Sequence, residues 1–226
     1  MNKPLKAKFE RSKATTDVLN KLRIDIILGK YSPGTRLIEN TLAKDYQVSR
    51  GRIRDVFKVL EQEGIIESLD NGATVVVGFN EEIASDMYDL RLYLELKATE
   101  ILLSKKMVSY SQLVSALDRV ANDLNHLNLQ DLYDIDIQFH RGLFIAAGNR
   151  PIMQAWDNLS STIHSFLSVN TTTEYSKNYA IEFFEKHKII IDAIIMKNPK
   201  AKEEVEKHIL DAKQMTLDII KKQGNK

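Results

Sequence analysis

Residues 46–64, YQVSRGRIRDVFKVLEQEG, carry the pattern of an amphipathic helix and little else. Ile53, Val56, Phe57 and Leu60 recur at i, i+3, i+4 and i+7, which at about 100° per residue lines a single face. Ser49 stands where an N-cap hydroxyl belongs. Arg50, Arg54 and Lys58 stack on the opposite side. A short helix over 40–46 and a three-residue turn precede this segment, so the two read as a helix-turn-helix whose second helix offers cations to a DNA major groove. A merely solvated basic face would show the same stripe, and the flanking segments have to decide between the two.

Those flanks favour the DNA reading. A helix is expected over 16–28 with Val18, Leu22 and Ile26 inward, stopped by Gly29, which tolerates the left-handed conformation that ends helices. Residues 1–13 are basic and aperiodic and read as a flexible arm. Pro33-Gly34 marks a tight turn. After Gly64 the period changes: Ile65, Ile66, Glu67 and Ser68, then Thr74, Val75, Val76 and Val77, flank Asp70-Asn71-Gly72, a strong hairpin signal. Three helices and a hairpin over 14–78 make a winged helix-turn-helix. From residue 81 onward helices are expected at about 81–104, 110–127, 130–147, 151–169, 178–196 and 199–222. Between them stand Gly148-Asn149-Arg150-Pro151, the polar run NTTTEYSKN and Asn198-Pro199. The fold class is therefore mainly α, with an antiparallel all-helical bundle over 79–226 as a second domain.

Charge divides along the same line. Residues 1–78 hold 14 Lys+Arg against 10 Asp+Glu, whereas 79–226 hold 18 against 21. A basic head on a slightly acidic body fits a nucleic-acid partner for the head alone. The absence of cysteine excludes disulfides and thiolate metal sites and is compatible with a reducing cytoplasm. No apolar run approaches the ~20 residues of a membrane span.

Within the bundle, four ionisable residues occupy positions where apolar ones belong. Asp136 and His140 lie four apart inside the stripe Leu132, Ile135, Phe139, Leu143. His187 falls among Phe183, Ile190, Ile191 and Ile194, and His208 among Val205, Ile209, Ala212 and Ile219. Buried without partners such groups cost several kcal/mol, so they must satisfy one another. One carboxylate and three imidazoles suit a divalent first-row ion, Zn²⁺, Ni²⁺ or Mn²⁺; a metal-free, hydrogen-bonded Asp/His cluster is the alternative. His126 points away from its apolar stripe, and His164 flanks one. Arg91 and Glu95, also four apart, read either as a helical salt bridge or as an arginine that clamps a ligand carboxylate.

These motifs resemble a known family. The run GKYSPGTRLIENTLAKDYQVSRGRIRDVFKVLEQEGII is similar to the DNA-binding domain of GntR-family transcription regulators. DLRLYLELKA, DIQFHRGLFIAAGN, EKHKIIIDAI and EKHIL resemble the FadR-like branch with an FCD-type helical effector domain. The likeness covers about residues 16–222. It implies that Arg36, Ser49, Arg50 and Arg54 contact an operator and that Gly72 in the wing approaches the minor groove. It further implies that Asp136, His140, His187 and His208 hold a divalent metal and that the cavity takes a small organic acid; the residues that hold the acid do not follow from the resemblance, and Arg91 and Asn149 are the candidates for it. The family usually places a small residue and proline after the Ser-Arg pair, where this chain has Gly51-Arg52; Arg52 is expected to contact phosphate or alter operator preference.

Taken together, the expectation is a cytoplasmic, ligand-responsive, homodimeric transcription regulator, a repressor of a palindromic double-stranded operator. A metalloenzyme acting on a small carboxylate is the rival from another class, since three His and a carboxylate also activate water. An architectural DNA-binding protein with an inert dimerisation bundle is the third.

Overall fold

Leu22, Ile26, Ile53, Val56, Leu60 and Ile65 close on one another to form the core of an N-terminal unit, which ends at Asn80. A second unit begins at Glu81. The computed structural model describes the backbone of residues 3–169 and 176–224 and the side chains of 14–169 and 176–221. Most of the polar run expected to join two bundle helices, residues 170–175, lies outside the described residues.

The first unit contains α1 (Lys3–Ile27), β1 (Arg36–Leu37), α2 (Glu39–Asp45), α3 (Arg50–Gln62), β2 (Ile66–Ser68) and β3 (Thr74–Val76). The α3 boundaries follow from the sequence. Ser49 has extended backbone and its hydroxyl accepts from Arg52 N–H at 3.4 Å, while Ile53, Val56, Phe57 and Leu60 are all buried. The turn between α2 and α3 passes through Gln47 at φ 55°.

Two features differ from expectation. Helix α1 starts at Lys3, so residues 3–13 are helical where an arm was anticipated. Pro4 sits in the first turn, where its missing N–H is not needed, and Leu5, Lys6, Ala7 and Lys8 are good helix formers with no glycine to interrupt them. The hairpin also gains a third strand. The sheet order is β1-β3-β2, all antiparallel, with Arg36 opposite Val75 and Leu37 opposite Thr74. Gly72 turns the wing at φ 76°, its N–H donating to Leu69 O at 2.8 Å. Asn71 Oδ1 secures the turn by accepting from Ala73 N–H at 3.0 Å.

The second unit is α4 (Glu81–Ser104), α5 (Ser111–Asp123), α6 (Leu129–Ala147), α7 (Arg150–Ser168), α8 (Lys177–Ile195) and α9 (Ala201–Gly224). Helix α5 stops at Asp123, four residues short of its expected end, whereas both ends of α6 follow local signals. Asn128 and Asp131 form a reciprocal capping box at the start of α6, and Gly148 closes that helix at φ 65°. Leu132, Ile135, Phe139, Leu143, Trp156 and Ile190 form the centre of its core. Helices α4, α6, α8 and α9 each turn one polar patch into that core, and the patches coincide. Among the described residues, no helix is long and apolar enough to cross a membrane.

Candidate metal centre and nucleic-acid interface

Helix α6 carries Asp136 and His140 one turn apart, so both project from the face that packs inward. His187 arrives from α8 and His208 from α9. One ligand atom from each of the four lies within 4.8 Å of every other. His140 Nε2 stands 3.1 Å from His208 Nε2 and 3.7 Å from Asp136 Oδ1, and His187 Nε2 stands 3.1 Å from Asp136 Oδ1. The structure thus brings together all four residues that the sequence singled out.

A further set of contacts orients them. His187 Nδ1 donates to the Phe183 carbonyl at 2.7 Å, and His140 Nδ1 meets Glu95 Oε2 at 2.7 Å. Glu95 in turn accepts from Arg91 Nε at 2.8 Å through its other oxygen. With both Nδ1 atoms engaged outward, the Nε2 lone pairs of His140 and His187 face the cluster, the arrangement that metal-bound histidines use. A neutral His187 whose proton is on Nδ1 presents an acceptor to the Asp136 carboxylate, itself an acceptor. A cation or an extra proton must bridge the two. Ligand atoms sharing one ion at about 2.1 Å each lie roughly 3–4 Å apart, so atoms within 4.8 Å of one another would draw in to enclose it. The donor set fits a divalent ion.

Electrostatics follow the packing. Burial pushes the Asp136 carboxyl up, but His140, His187 and Arg91 outweigh it and hold the group well below the usual carboxylate range. Burial, reinforced by His187 and His140, drives His208 well below the ordinary imidazole value, so it stands as a neutral donor. Burial likewise opposes the Arg91 charge, yet Glu95 and Asp136 overcome it and raise its pKa.

Beside the cluster lies a cavity of about 170 Å³, lined by Arg91, Asp136, His187 and His208 together with Tyr133, Tyr179 and others. Arg91 Nη2 is buried, has no hydrogen-bond partner and stands 3.9 Å from Asp136 Oδ2. The Tyr133 hydroxyl is a second buried polar atom without a partner. A guanidinium nitrogen and a hydroxyl without hydrogen-bond partners leave donors free beside the cavity, which Glu182, Lys186 and Asp211 also line. The salt-bridge reading of Arg91 holds, since Nε donates to Glu95, and Nη2 makes no hydrogen bond.

Asn149 is a correction. Expected at the effector, it is instead the N-cap of α7, its Oδ1 accepting from Ile152 N–H at 3.3 Å, and it does not line the cavity. Its sequence signal, an Asn before Arg-Pro, is the signal of a cap. Asn149→Ala should lower stability by about 1 kcal/mol and leave ligand affinity in the cavity unchanged, as thermal unfolding with and without ligand would record. His164 pairs with Asp134 at 2.7 Å, and His126 with Asp123 at 2.6 Å on the surface; neither lines the cavity.

In the first unit, Arg50 and Arg54 project from the exposed face of α3. Arg54 Nε donates to both oxygens of Glu39, at 2.8 and 3.0 Å, and Arg50 Nη2 reaches the same carboxylate at 3.5 Å. Arg52 is half-buried and so lies off that face; Arg36 is exposed on β1; Lys58 pairs loosely with Asp55 at 3.8 Å. The sequence did not single out Glu39, and it singled out Glu95 only as the partner of Arg91. Glu95 showed its link to Arg91 through their spacing, but nothing local revealed His140.

Residues 86–212 match the family described as FCD domain, and residues 14–76 match bacterial regulatory proteins of the gntR family. The gluconate operon transcriptional repressor of Bacillus subtilis (strain 168) is 29% identical over 195 residues, covering 83% of this chain and 79% of the relative. Its counterpart in Bacillus licheniformis is 30% identical over 198 residues, covering 84% and 79%. Among solved structures, Lar of Listeria monocytogenes aligns with a TM-score of 0.68 at 16% identity, covering 90% of this chain and 96% of the other. McbR/YncC of E. coli aligns at 0.63 and 17%, covering 93% and 98%. These two likenesses establish the fold. The relatives are transcription regulators, not enzymes.

Proposed function

The chain belongs to the GntR family of bacterial regulatory proteins, as a DNA-binding transcription regulator with an FCD domain, and from this premise we propose that it is a metal-dependent, acid-responsive repressor. The reading rests above all on one observation: Arg91 Nη2, buried and without a hydrogen-bond partner, borders a cavity that also exposes Asp136, His187 and His208. Asp136, His140, His187 and His208 would hold a divalent ion, whose Lewis acidity would attract one carboxylate oxygen of an effector. Arg91 takes the rest of that anionic charge, and Tyr133 hydrogen-bonds a further oxygen. A small hydroxylated carboxylate satisfies both, and gluconate, after the two repressors to which this chain is similar, is the first to test.

The DNA half of the proposal assigns base reading to Arg50 and Arg54, positioning to Arg36 and Ser49, phosphate contact to Arg52, and approach of the wing at Gly72. A two-fold homodimer in the cytoplasm would place one α3 in each half of a palindromic operator. Effector binding then acts by favouring one dimer geometry over another, at a cost no larger than its difference in affinity for the two.

Mobility shifts on an operator found by selection test the base readers. Arg50→Ala and Arg54→Ala should each weaken binding about tenfold to a hundredfold, the value of one bidentate base contact. Undiminished binding by both variants would remove α3 from the recognition surface. Gluconate with Zn²⁺ should release the wild-type protein from the same operator.

A further inference from the structure

The acid between the two base-reading arginines is the least expected feature of the DNA-binding unit. A carboxylate on a surface that meets phosphates is repelled by them, and Glu39 is one of few acids near the start of α2 and α3. Its geometry is not that of a casual surface pair. Both oxygens engage Arg54 Nε, at 2.8 and 3.0 Å, while one also reaches Arg50 Nη2 at 3.5 Å. Glu39 is the more sheltered partner: its side chain is 28% exposed, against 57% and 56% for the two arginines. The Arg54 hydrogen bond, outweighing a small effect of burial, keeps the Glu39 carboxyl below its ordinary range and hence ionised.

The pairing is selective as to which guanidinium nitrogens it uses. On Arg54 it occupies Nε alone, and no partner for the two Nη atoms is found among the described residues. Those two atoms form the end-on fork that matches guanine O6 and N7. A guanidinium held along its Nε edge is fixed about its long torsions, so its fork is aimed before DNA arrives. Side-chain ordering of this kind lowers the entropy lost on binding. The same carboxylate neutralises charge that would otherwise be offered to any phosphate.

We propose that Glu39 is a specificity-positioning residue: it aims Arg54, and to a lesser degree Arg50, at base edges and withholds both from indiscriminate phosphate contact. The inference rests on the assignment of α3 as the DNA-reading helix. Glu39 itself need not touch a base. Its removal should raise affinity for arbitrary DNA while lowering affinity for the preferred sequence, a split that loss of structure would not produce.

The test is selection from a pool of random-sequence duplexes with the full-length wild type, followed by affinity measurement on the enriched duplex and a shuffled one. Glu39→Ala should bind the shuffled duplex several-fold more tightly and with a steeper salt dependence, because freed arginines can neutralise phosphates. Its ratio of preferred to shuffled affinity should fall tenfold or more. Glu39→Gln, which keeps a hydrogen-bond acceptor, should recover part of that ratio. Asp55→Asn removes a neighbouring charge on α3 that pairs with Lys58, not with either arginine; it should change both affinities alike. A ratio in Glu39→Ala within about twofold of wild type, or an equal fall in Asp55→Asn, overturns the proposal. Failure of the wild type to enrich any sequence overturns instead the DNA-reading assignment beneath it.

Discussion

Glu95→Ala should lower the stability of the helical unit by about 3–5 kcal/mol, the penalty for stripping one partner from a buried ion pair. Arg91 and Glu95 are 1% and 0% exposed, so neither finds water as a substitute. The variant leaves Arg91 Nε without its acceptor and His140 Nδ1 without the carboxylate that orients it. Asp136 stands 3.9 Å from Arg91 Nη2 and compensates only in part. Urea unfolding followed by Trp156 fluorescence isolates the effect, since this is the chain's one tryptophan and it is buried in that unit, with the Arg91 guanidinium 5.4 Å from its ring. Glu95→Gln should cost less, because an amide oxygen still accepts from Arg91. A loss below about 1 kcal/mol in Glu95→Ala would mean that the pair is not the support described here.

The second large effect concerns the ion. Adding Zn²⁺, Ni²⁺ or Mn²⁺ to chelator-treated protein should stabilise the helical unit by about 2.7 kcal/mol at a hundredfold excess over Kd and about 4 kcal/mol at a thousandfold. His187→Ala should abolish that increment and remove the ion from elemental analysis. The increment is the relevant quantity, because the substitution also leaves Asp136 without its 3.1 Å partner and lowers stability by itself. Wild-type protein that neither retains an ion nor responds to the three added ones would establish the alternative, a proton-bridged Asp/His cluster. The His140 ring centroid lies 6.0 Å from that of Trp156, so fluorescence should follow the titration directly.

Individual residues show where sequence reasoning was sufficient. Ser49 capped α3 and Gly148 closed α6 because capping depends on atoms within a few residues. Ile53, Val56, Phe57 and Leu60 are buried because a 3.6-residue period leaves an apolar stripe nowhere else to go. Strand β1 was invisible, since two residues have no period; Arg36 and Leu37 become a strand only by pairing with Val75 and Thr74. Asn149 was expected at the effector although its place before Arg150-Pro151 already carries a cap signal, and its bond from Ile152 N–H follows that local signal.

The order of helices and hairpin, the division near residue 80 and the inward positions of Asp136, His140, His187 and His208 were determined by local spacing, which the chain carries before it folds. What tertiary structure decided is which of those atoms meet. His140 reaches Glu95 across 45 residues, Asp136 reaches His187 across 51, and His140 reaches His208 across 68. Glu39 finds Arg54 across 15. Separations of that size are set by how helices pack, and packing depends on the shapes of every side chain between them. The state of Arg91 Nη2, which has no hydrogen-bond partner, and of the Arg54 guanidinium, held by its Nε, are both products of that packing: in each, a neighbouring carboxylate takes Nε and leaves another nitrogen without a hydrogen bond among the described residues.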